Sequence, residues 1–255
     1  ILPEVDFQFA GELRDFQQEA MDNLIKYDFA TLPAPTGSGK TVIGLALVAA
    51  RRQPALVIVH TKELLNQWID RIETFLGIPR SEIGVIGAGK KTIGERITVG
   101  IVNSVYSSAG EIREHIGHLI VDECHRTPSR TFTEAVSAFD CRYMLGLSAT
   151  PYRRDGLSRL IFWHIGDVHH EIKAEDLQET GDILKVKAIQ RFTNFRSWAD
   201  ATTEYPQMLA ELTKDNERNE LITSDVIREA GNGGGICLVL TDRRDHAVRL
   251  VTKIR

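Results

Sequence analysis

Ala34-Pro35-Thr36-Gly37-Ser38-Gly39-Lys40-Thr41 is the stretch on which the fold turns. It follows Pro33 and opens into Val42-Ile43-Gly44-Leu45-Ala46-Leu47-Val48-Ala49-Ala50, an apolar run rich in helix formers. Small, glycine-rich residues let consecutive backbone N–H groups point into one concavity, and the following helix N-terminus adds the positive end of its dipole. Such a cradle takes phosphate oxygens. Lys40 stands where an ammonium reaches β- and γ-phosphates, and Thr41 where a hydroxyl takes a place on Mg²⁺. Ala34 holds the position at which this pattern usually opens on Gly, while Gly37-x-Gly39-Lys40-Thr41 is intact. An ordinary glycine turn has no need of Lys and Thr at those offsets. The stretch therefore implies a nucleoside triphosphate such as ATP, with Pro35, Thr36, Gly37, Ser38, Gly39, Lys40 and Thr41 as its lining.

Outward from the cradle, short apolar runs alternate with amphipathic ones. Phe29-Ala30-Thr31-Leu32 reads as a strand feeding the cradle. Ala55-Leu56-Val57-Ile58-Val59 is continuous and apolar, the pattern of a strand buried on both faces. His118-Leu119-Ile120-Val121, ending at Asp122, and Tyr143 to Ser148 read the same way. Ile83 to Ile86 and Ile97 to Val102 are expected strands joined by the turn-rich Gly87 to Lys91. Helical spacing covers Leu13 to Ile25, with Asp15 as the expected N-cap, the run from Lys40, Lys62 to Phe75, and Thr131 to Phe139. Alternating strands and helices predict an α/β fold with a mostly parallel sheet. Ligands then sit at the carboxyl ends of the strands, where the cradle, Asp122 and Ser148 all fall.

From about Phe162 the texture changes. Strands are expected at Val168 to Ile172 and Leu184 to Ile189, around a polar helix at Lys173 to Glu179. A long polar helix is expected at Thr203 to Ala230, then a break at Gly231-Asn232-Gly233-Gly234-Gly235. A buried strand, Ile236 to Leu240, and a helix from about Asp245 follow. This predicts a nucleotide-binding domain over residues 1–167, a linker or extension over 168–202, and the start of a second α/β domain over 203–255.

Composition sets outer limits. The 255 residues are 42% apolar and 26% charged, as in a globular protein, and carry a net charge of −4. No run of about eighteen apolar residues exists, so no membrane span is expected. The chain opens on Ile1 without the basic-then-apolar layout of a signal peptide, which reads as an internal boundary of a longer, cytoplasmic protein. Cys124, Cys141 and Cys237 are widely spread, as suits reduced thiols. The negative charge argues against a protein that coats DNA electrostatically. It permits local grip through Arg126 and Arg130, or Arg153, Arg154 and Arg159.

Asp122-Glu123-Cys124-His125 closes a buried strand. A carboxylate there can hold the Mg²⁺ that bridges phosphates, partly through water, and its neighbour can orient and deprotonate the attacking water. Asp122 takes the first role and Glu123 the second. Ser148 and Thr150 are short hydroxyl residues at a strand end, able to hydrogen-bond His125. His115, His118, Cys124 and His125 match no zinc spacing. Trp68, in helical register with Leu64, Leu65 and Ile72, reads as core rather than as a platform for bases.

Ala34–Thr41, Asp122–His125 and Ser148-Ala149-Thr150-Pro151, in that order, resemble motifs I, II and III of superfamily 2 helicases and translocases. Leu13-Arg14-Asp15-Phe16-Gln17 is similar to their Q motif, which implies that Gln17, with Arg14 beside it, meets the adenine. Val57 to Trp68 is similar to motif Ia and Gly100 to Val105 to the next DNA-contacting segment, implying that Thr61, Lys62, Asn103 and Ser104 grip nucleic-acid phosphates. Leu238-Val239-Leu240-Thr241-Asp242-Arg243 resembles motif IV, the opening of a second RecA-like domain. Ser148 to Gly156, with Arg153 and Arg154, is similar to the XPB, UvsW and restriction-translocase branch. The resemblance implies a RecA-like fold, ATP and Mg²⁺ as cofactors, Lys40, Asp122, Glu123 and His125 as catalytic residues, and Ser148 and Thr150 as coupling residues. It implies DNA as partner and a second RecA-like domain to complete the motor. The motifs with the arginine fingers would lie beyond Arg255, so residues 1–255 are expected to bind ATP and hydrolyse it poorly. Two other readings stay open: a P-loop phosphoryl transferase, and a nucleotide-gated interaction module.

Overall fold

The computed structural model describes residues 2–126, 130–150, 158–185, 187–233 and 235–254. They form two compact units that divide between Lys185 and Val186.

In the first unit a helix α1 (Asp15–Leu24) precedes strand β1 (Phe29–Pro33). Helix α2 (Lys40–Arg51), β2 (Ala55–Val59), α3 (Lys62–Leu76), β3 (Gly84–Gly87), β4 (Lys90–Thr92) and β5 (Ile97–Ile101) follow. The unit continues with α4 (Val102–Ile112), β6 (His118–Asp122), α5 (Arg130–Ser137), β7 (Tyr143–Ser148), α6 (Ser158–Ile165) and α7 (Ala174–Glu179). The strands make one seven-stranded sheet in the order β1-β7-β6-β2-β5-β3-β4. Every pairing is parallel except the β3–β4 hairpin. The expected α/β architecture is the one observed.

Strand β2 shows why this sheet is covered twice. Its five residues are all buried. Ala55, Val57 and Val59 point into one core with Leu45, Trp68 and Ile72. Leu56 and Ile58 point into the other with Val105, Ala109 and Ile112. The period-two alternation of a strand thus feeds two helical layers at once. On β1, the outer edge is lined by the segment after α6. Thr31 N donates to Asp167 O at 2.8 Å, Thr31 Oγ1 to Gly166 O at 2.7 Å, and Ile172 N to Pro33 O at 2.9 Å. These bonds occupy backbone groups that an open edge would leave bare.

Several expectations are corrected. Val168 to Lys185 is part of the first unit rather than a linker, because Ile172 and Leu177 bury their side chains in its core. Val168 makes only an isolated bridge to Thr31, so no strand forms at 168–172. The stretch between β3 and β5 holds an extra strand, β4. Val102 leaves the strand to begin α4, where Asn103 and Ser104 form the first turn. Arg14, not Asp15, is the N-cap of α1, and its N–H is accepted by Gln17 Oε1 at 3.0 Å.

The second unit contains α8 (Tyr205–Lys214), α9 (Asn216–Gly231) and α10 (Arg244–Ile254). The single long helix expected at 203–230 is broken at Asp215, whose carboxylate caps α9 by accepting from Arg218 N at 2.7 Å. Asn219 and His246 are buried and tie α9 to α10 through Nε2 and Oδ1 at 2.9 Å, while His246 Nδ1 meets Thr241 Oγ1 at 2.8 Å. The strand expected at Ile236 to Leu240 is absent. Ile236, Leu238 and Leu240 are 99%, 79% and 83% exposed. A strand needs a neighbour to accept its N–H groups, and the described residues of this unit offer none. The strand expected at Leu184 to Ile189 does not form among the described residues either.

Candidate active site

The parallel order of β1, β7 and β6 brings three chain segments to one edge of the sheet. The cradle leaves β1, Ser148 ends β7, and Asp122 ends β6. Ala34 N donates to Ser148 O at 2.9 Å, which joins the cradle to the end of β7.

Within the cradle Gly37 and Gly39 adopt φ of 90° and 78°, a region that favours glycine. Gly39 is needed twice over, because a Cβ there would run into the amide of Gln17. That amide is buried and donates from Nε2 to Ser38 O at 2.8 Å, so α1 is anchored to the cradle by the side chain that also caps its own first turn. Lys40 Nζ donates to Ala34 O at 2.8 Å and to Pro35 O at 3.2 Å. The ammonium is thereby folded back over the loop it follows. Burial lowers its pKa, against the opposing pull of Glu123 and Asp122. Ser38 Oγ is buried and has no hydrogen-bond partner among the described residues.

Across the cleft, Asp122 is buried and both carboxylate oxygens are held. Trp68 Nε1 donates to Oδ2 at 2.8 Å and Glu123 N donates to Oδ1 at 3.0 Å. Burial raises its pKa, while the indole hydrogen bond works the other way. Glu123 sits at φ 51°, outside the conformations comfortable for a residue with a Cβ. Its Oε2 lies 3.2 Å from His125 Nδ1. His125 Nδ1 also lies 3.1 Å from Ser148 Oγ, which in turn accepts from Thr150 N at 3.1 Å.

One cleft of about 810 Å³ is lined by Arg14, Gln17, Thr36, Gly37, Gly39, Lys40, Thr41, Trp68, Asp122 and Glu123. Of the expected nucleotide residues, Pro35 and Ser38 do not line it, and Ser38 is buried. Arg14 is exposed and paired with Asp182 at 3.1 Å. The cleft fits a triphosphate and its metal ion on three observations: two cradle glycines at positive φ, an orphaned Ser38 hydroxyl, and a held carboxylate lining the same cleft as Lys40 and Thr41.

Thr61 caps α3 by accepting from Leu64 N at 3.3 Å, with Lys62 exposed beside it. Thr61 follows β2 and Asn103 follows β5, adjacent strands, so both fall at the carboxyl edge of the sheet. Arg153 and Arg154 lie outside the described residues. Among the described residues no group of three His, Cys, Asp or Glu side chains is placed to hold a metal ion by itself. No described helix is long and apolar enough to cross a membrane. Trp68 is core, as expected, but its bond to Asp122 was invisible to pattern reading. Only helix register combined with sheet order brings residues 54 positions apart together.

The sheet order, with the cradle and the acidic pair at one edge, is that of an α/β domain of RecA-like type, and its relatives put the chain among superfamily 2 helicases, on the XPB- and UvsW-like side. The chain belongs to the family described as "Type III restriction enzyme, res subunit", which its residues 10–153 match. It is 35% identical over 166 residues to the DNA 3'-5' translocase XPB2 of Sulfurisphaera tokodaii, a match covering 65% of this chain and 37% of that protein. It is 27% identical over 186 residues to the DNA 3'-5' helicase XPB of Kineococcus radiotolerans, covering 70% of this chain and 33% of the relative. The chain thus spans about a third of the length of these relatives. Among solved structures, the UvsW helicase from bacteriophage T4 matches with a TM-score of 0.55 at 21% identity, over 67% of this chain and 64% of that one. The Hef helicase domain of Pyrococcus furiosus matches with 0.56 at 18% identity, over 94% and 53%. These two likenesses concern the fold.

Proposed function

We propose that this chain is the ATP-binding half of an ATP-dependent DNA helicase or translocase. The observation that carries the proposal is the cleft itself, where Lys40 and Thr41 of the cradle face Asp122 and Glu123. Lys40 supplies positive charge to the β- and γ-phosphates, which it can do by releasing the carbonyls of Ala34 and Pro35. Thr41 and Asp122 hold Mg²⁺, in part through water. Mg²⁺ when bound neutralises phosphate charge and polarises the γ-phosphoryl group. Glu123 accepts the proton of the attacking water. Gln17 and Arg14 meet the adenine, Gln17 from an anchored position and Arg14 after leaving Asp182.

His125 bridges Glu123 and Ser148, and Ser148 holds the N–H of Thr150. Through this relay the state of the cleft is passed to the strand ends, where Thr61, Lys62, Asn103 and Ser104 grip nucleic-acid phosphates, a role the reading gives to Arg153 and Arg154 as well. The relatives named as a DNA translocase and a DNA helicase support DNA as the strand tracked. A second RecA-like domain completes the motor.

The test is the ATPase rate without nucleic acid, then with single-stranded DNA, duplex DNA and RNA. It is run on this chain and on a longer chain carrying a complete second domain, each beside Glu123→Gln. DNA stimulation of the longer chain, with a loss of about 10²–10⁴-fold in Glu123→Gln, is the expected result. If no nucleic acid stimulates the longer chain while Glu123 still matters, the motor reading fails, and a phosphoryl acceptor takes its place.

A further inference from the structure

Among the buried side chains, Trp68 makes the contact that core packing explains least. Its indole is 2% exposed on the inner face of α3 and belongs to the core formed with Leu45, Val57 and Ile72. Helix α2 packs beside it at Gly44, where a Cβ would be in ordinary van der Waals contact with Trp68 Cη2. A core position of this kind is filled by Leu, Ile or Phe as well as by Trp. What those residues lack is the N–H, and the N–H is aimed at Asp122 Oδ2 at 2.8 Å.

The consequence for Asp122 is specific. A carboxylate has about four lone-pair positions on two oxygens. Here the indole takes one on Oδ2 and the Glu123 N–H takes one on Oδ1, so the plane of the group is fixed and one position on each oxygen remains. Both donors are neutral. An arginine or lysine in place of Trp68 would orient the carboxylate too, but would cancel the charge that attracts a cation. A buried indole orients without neutralising.

We propose that Trp68 is a positioning residue for the divalent cation of the nucleotide site, holding the Asp122 carboxylate in the orientation that receives the metal. The inference rests on the nucleotide reading given above. It assigns α3 a second task beside packing: the helix that starts at Thr61, on the carboxyl edge of the sheet, also sets the metal aspartate two turns further on.

The test separates metal from nucleotide. Binding of a fluorescent ATP analogue is measured by anisotropy in EDTA and again with Mg²⁺, for the wild-type protein and Trp68→Phe. Phe keeps an aromatic filler and removes the donor. The expected result is an affinity in EDTA within about twofold of wild type and a Mg²⁺-dependent gain about tenfold smaller, the lower end of what loss of a ligand-orienting hydrogen bond does elsewhere. An unchanged Mg²⁺ gain overturns the inference and leaves Trp68 as core filler. An equal loss in EDTA and in Mg²⁺ overturns it too, since the whole site would then have been disturbed. A wild-type protein that binds no ATP in either condition removes the nucleotide reading and the inference with it, and is told apart because the unmutated chain is silent.

If Trp68→Phe does not fold, benzothienylalanine at position 68 replaces the N–H by sulfur in the same shape and is read in the same way. A second readout needs no variant at Trp68. The chain has three tryptophans, and the other two, Trp163 and Trp198, are 76% and 97% exposed. In Trp163→Phe/Trp198→Phe protein, Trp68 is the sole emitter. Adding Mg²⁺ to the ATP-loaded form shifts its emission if the indole reports on a metal-bound Asp122, and leaves it still if it does not.

Discussion

Among the described residues, those of 2–185 hold a seven-stranded sheet between two helical layers, whereas those of 187–254 hold three helices and an exposed apolar segment. The contrast is sharpest between Ala55–Val59 and Ile236–Leu240. Both are five-residue apolar runs following a turn, and both read as buried strands. The first lies between β5 and β6 with every residue buried. The second has no strand beside it among the described residues of its unit, and its Ile and Leu side chains are exposed. An apolar run states what a segment can bury. Whether it becomes a strand is decided by neighbours that supply donors, acceptors and facing side chains.

The largest expected effect tests the buried run. Ile58→Ala removes a fully buried side chain from the α4-side core and should cost about 2–5 kcal/mol. Urea denaturation followed by the emission of Trp68, the buried tryptophan of the first unit, checks it. A cost below about 1 kcal/mol would mean that the core around β2 is not packed as described.

A smaller effect is set by pH. His118 is wholly buried, with Arg51 NH1 at 3.0 Å from its Nε2. Burial first, and the Arg51 charge second, hold its pKa well below the usual 6.5. The unfolded chain therefore takes up a proton as pH falls through about 6.5 and the folded chain does not. The first unit should have its full stability above that pH and lose up to about 1.4 kcal/mol per unit below it, until the folded group titrates. Peptide-resolved hydrogen exchange between pH 5 and 8 measures this for each unit separately. His118→Gln should flatten the slope in the first unit. His246 of the second unit is also held below its usual value, by burial and then by Arg218 and Arg249, so its unit should weaken in the same direction.

The smallest effect belongs to the exposed run. Leu238→Ala should change stability by less than about 0.5 kcal/mol, as surface substitutions do. The same melts would show it. A cost comparable with that of Ile58→Ala would mean that the segment is covered in solution.

Much of the first unit was legible because its chemistry is local. The cradle residues and Asp122-Glu123 are contiguous, and β2, β6 and β7 are unbroken apolar runs, so pattern alone located them. Strand β4 was not legible: Lys90, Lys91 and Thr92 are all exposed and show no alternation, and they pair with β3 only because the turn returns them. The start of α4 was hidden because Val102 continues a β-branched run. Asp215 sits inside a polar helical pattern, and its capping role emerges only from the broken geometry. In the site, single residues were readable but their partners were not. Gln17 was visible, its hold on Ser38 O was not; Trp68 was visible as core, its bond to Asp122 was not. Those pairings span 21 and 54 positions and depend on how α1 and α3 dock.

Glu123 carries a final consequence. Its left-handed backbone costs a residue with a Cβ about 1–2 kcal/mol, a cost that Gly avoids and Asn largely avoids. A directed-evolution screen that rewarded heat resistance alone would drift this position towards glycine and discard the carboxylate proposed as the base. Endurance and turnover thus compete at a single codon, and any thermostabilising redesign of this domain has to hold that position out of its search.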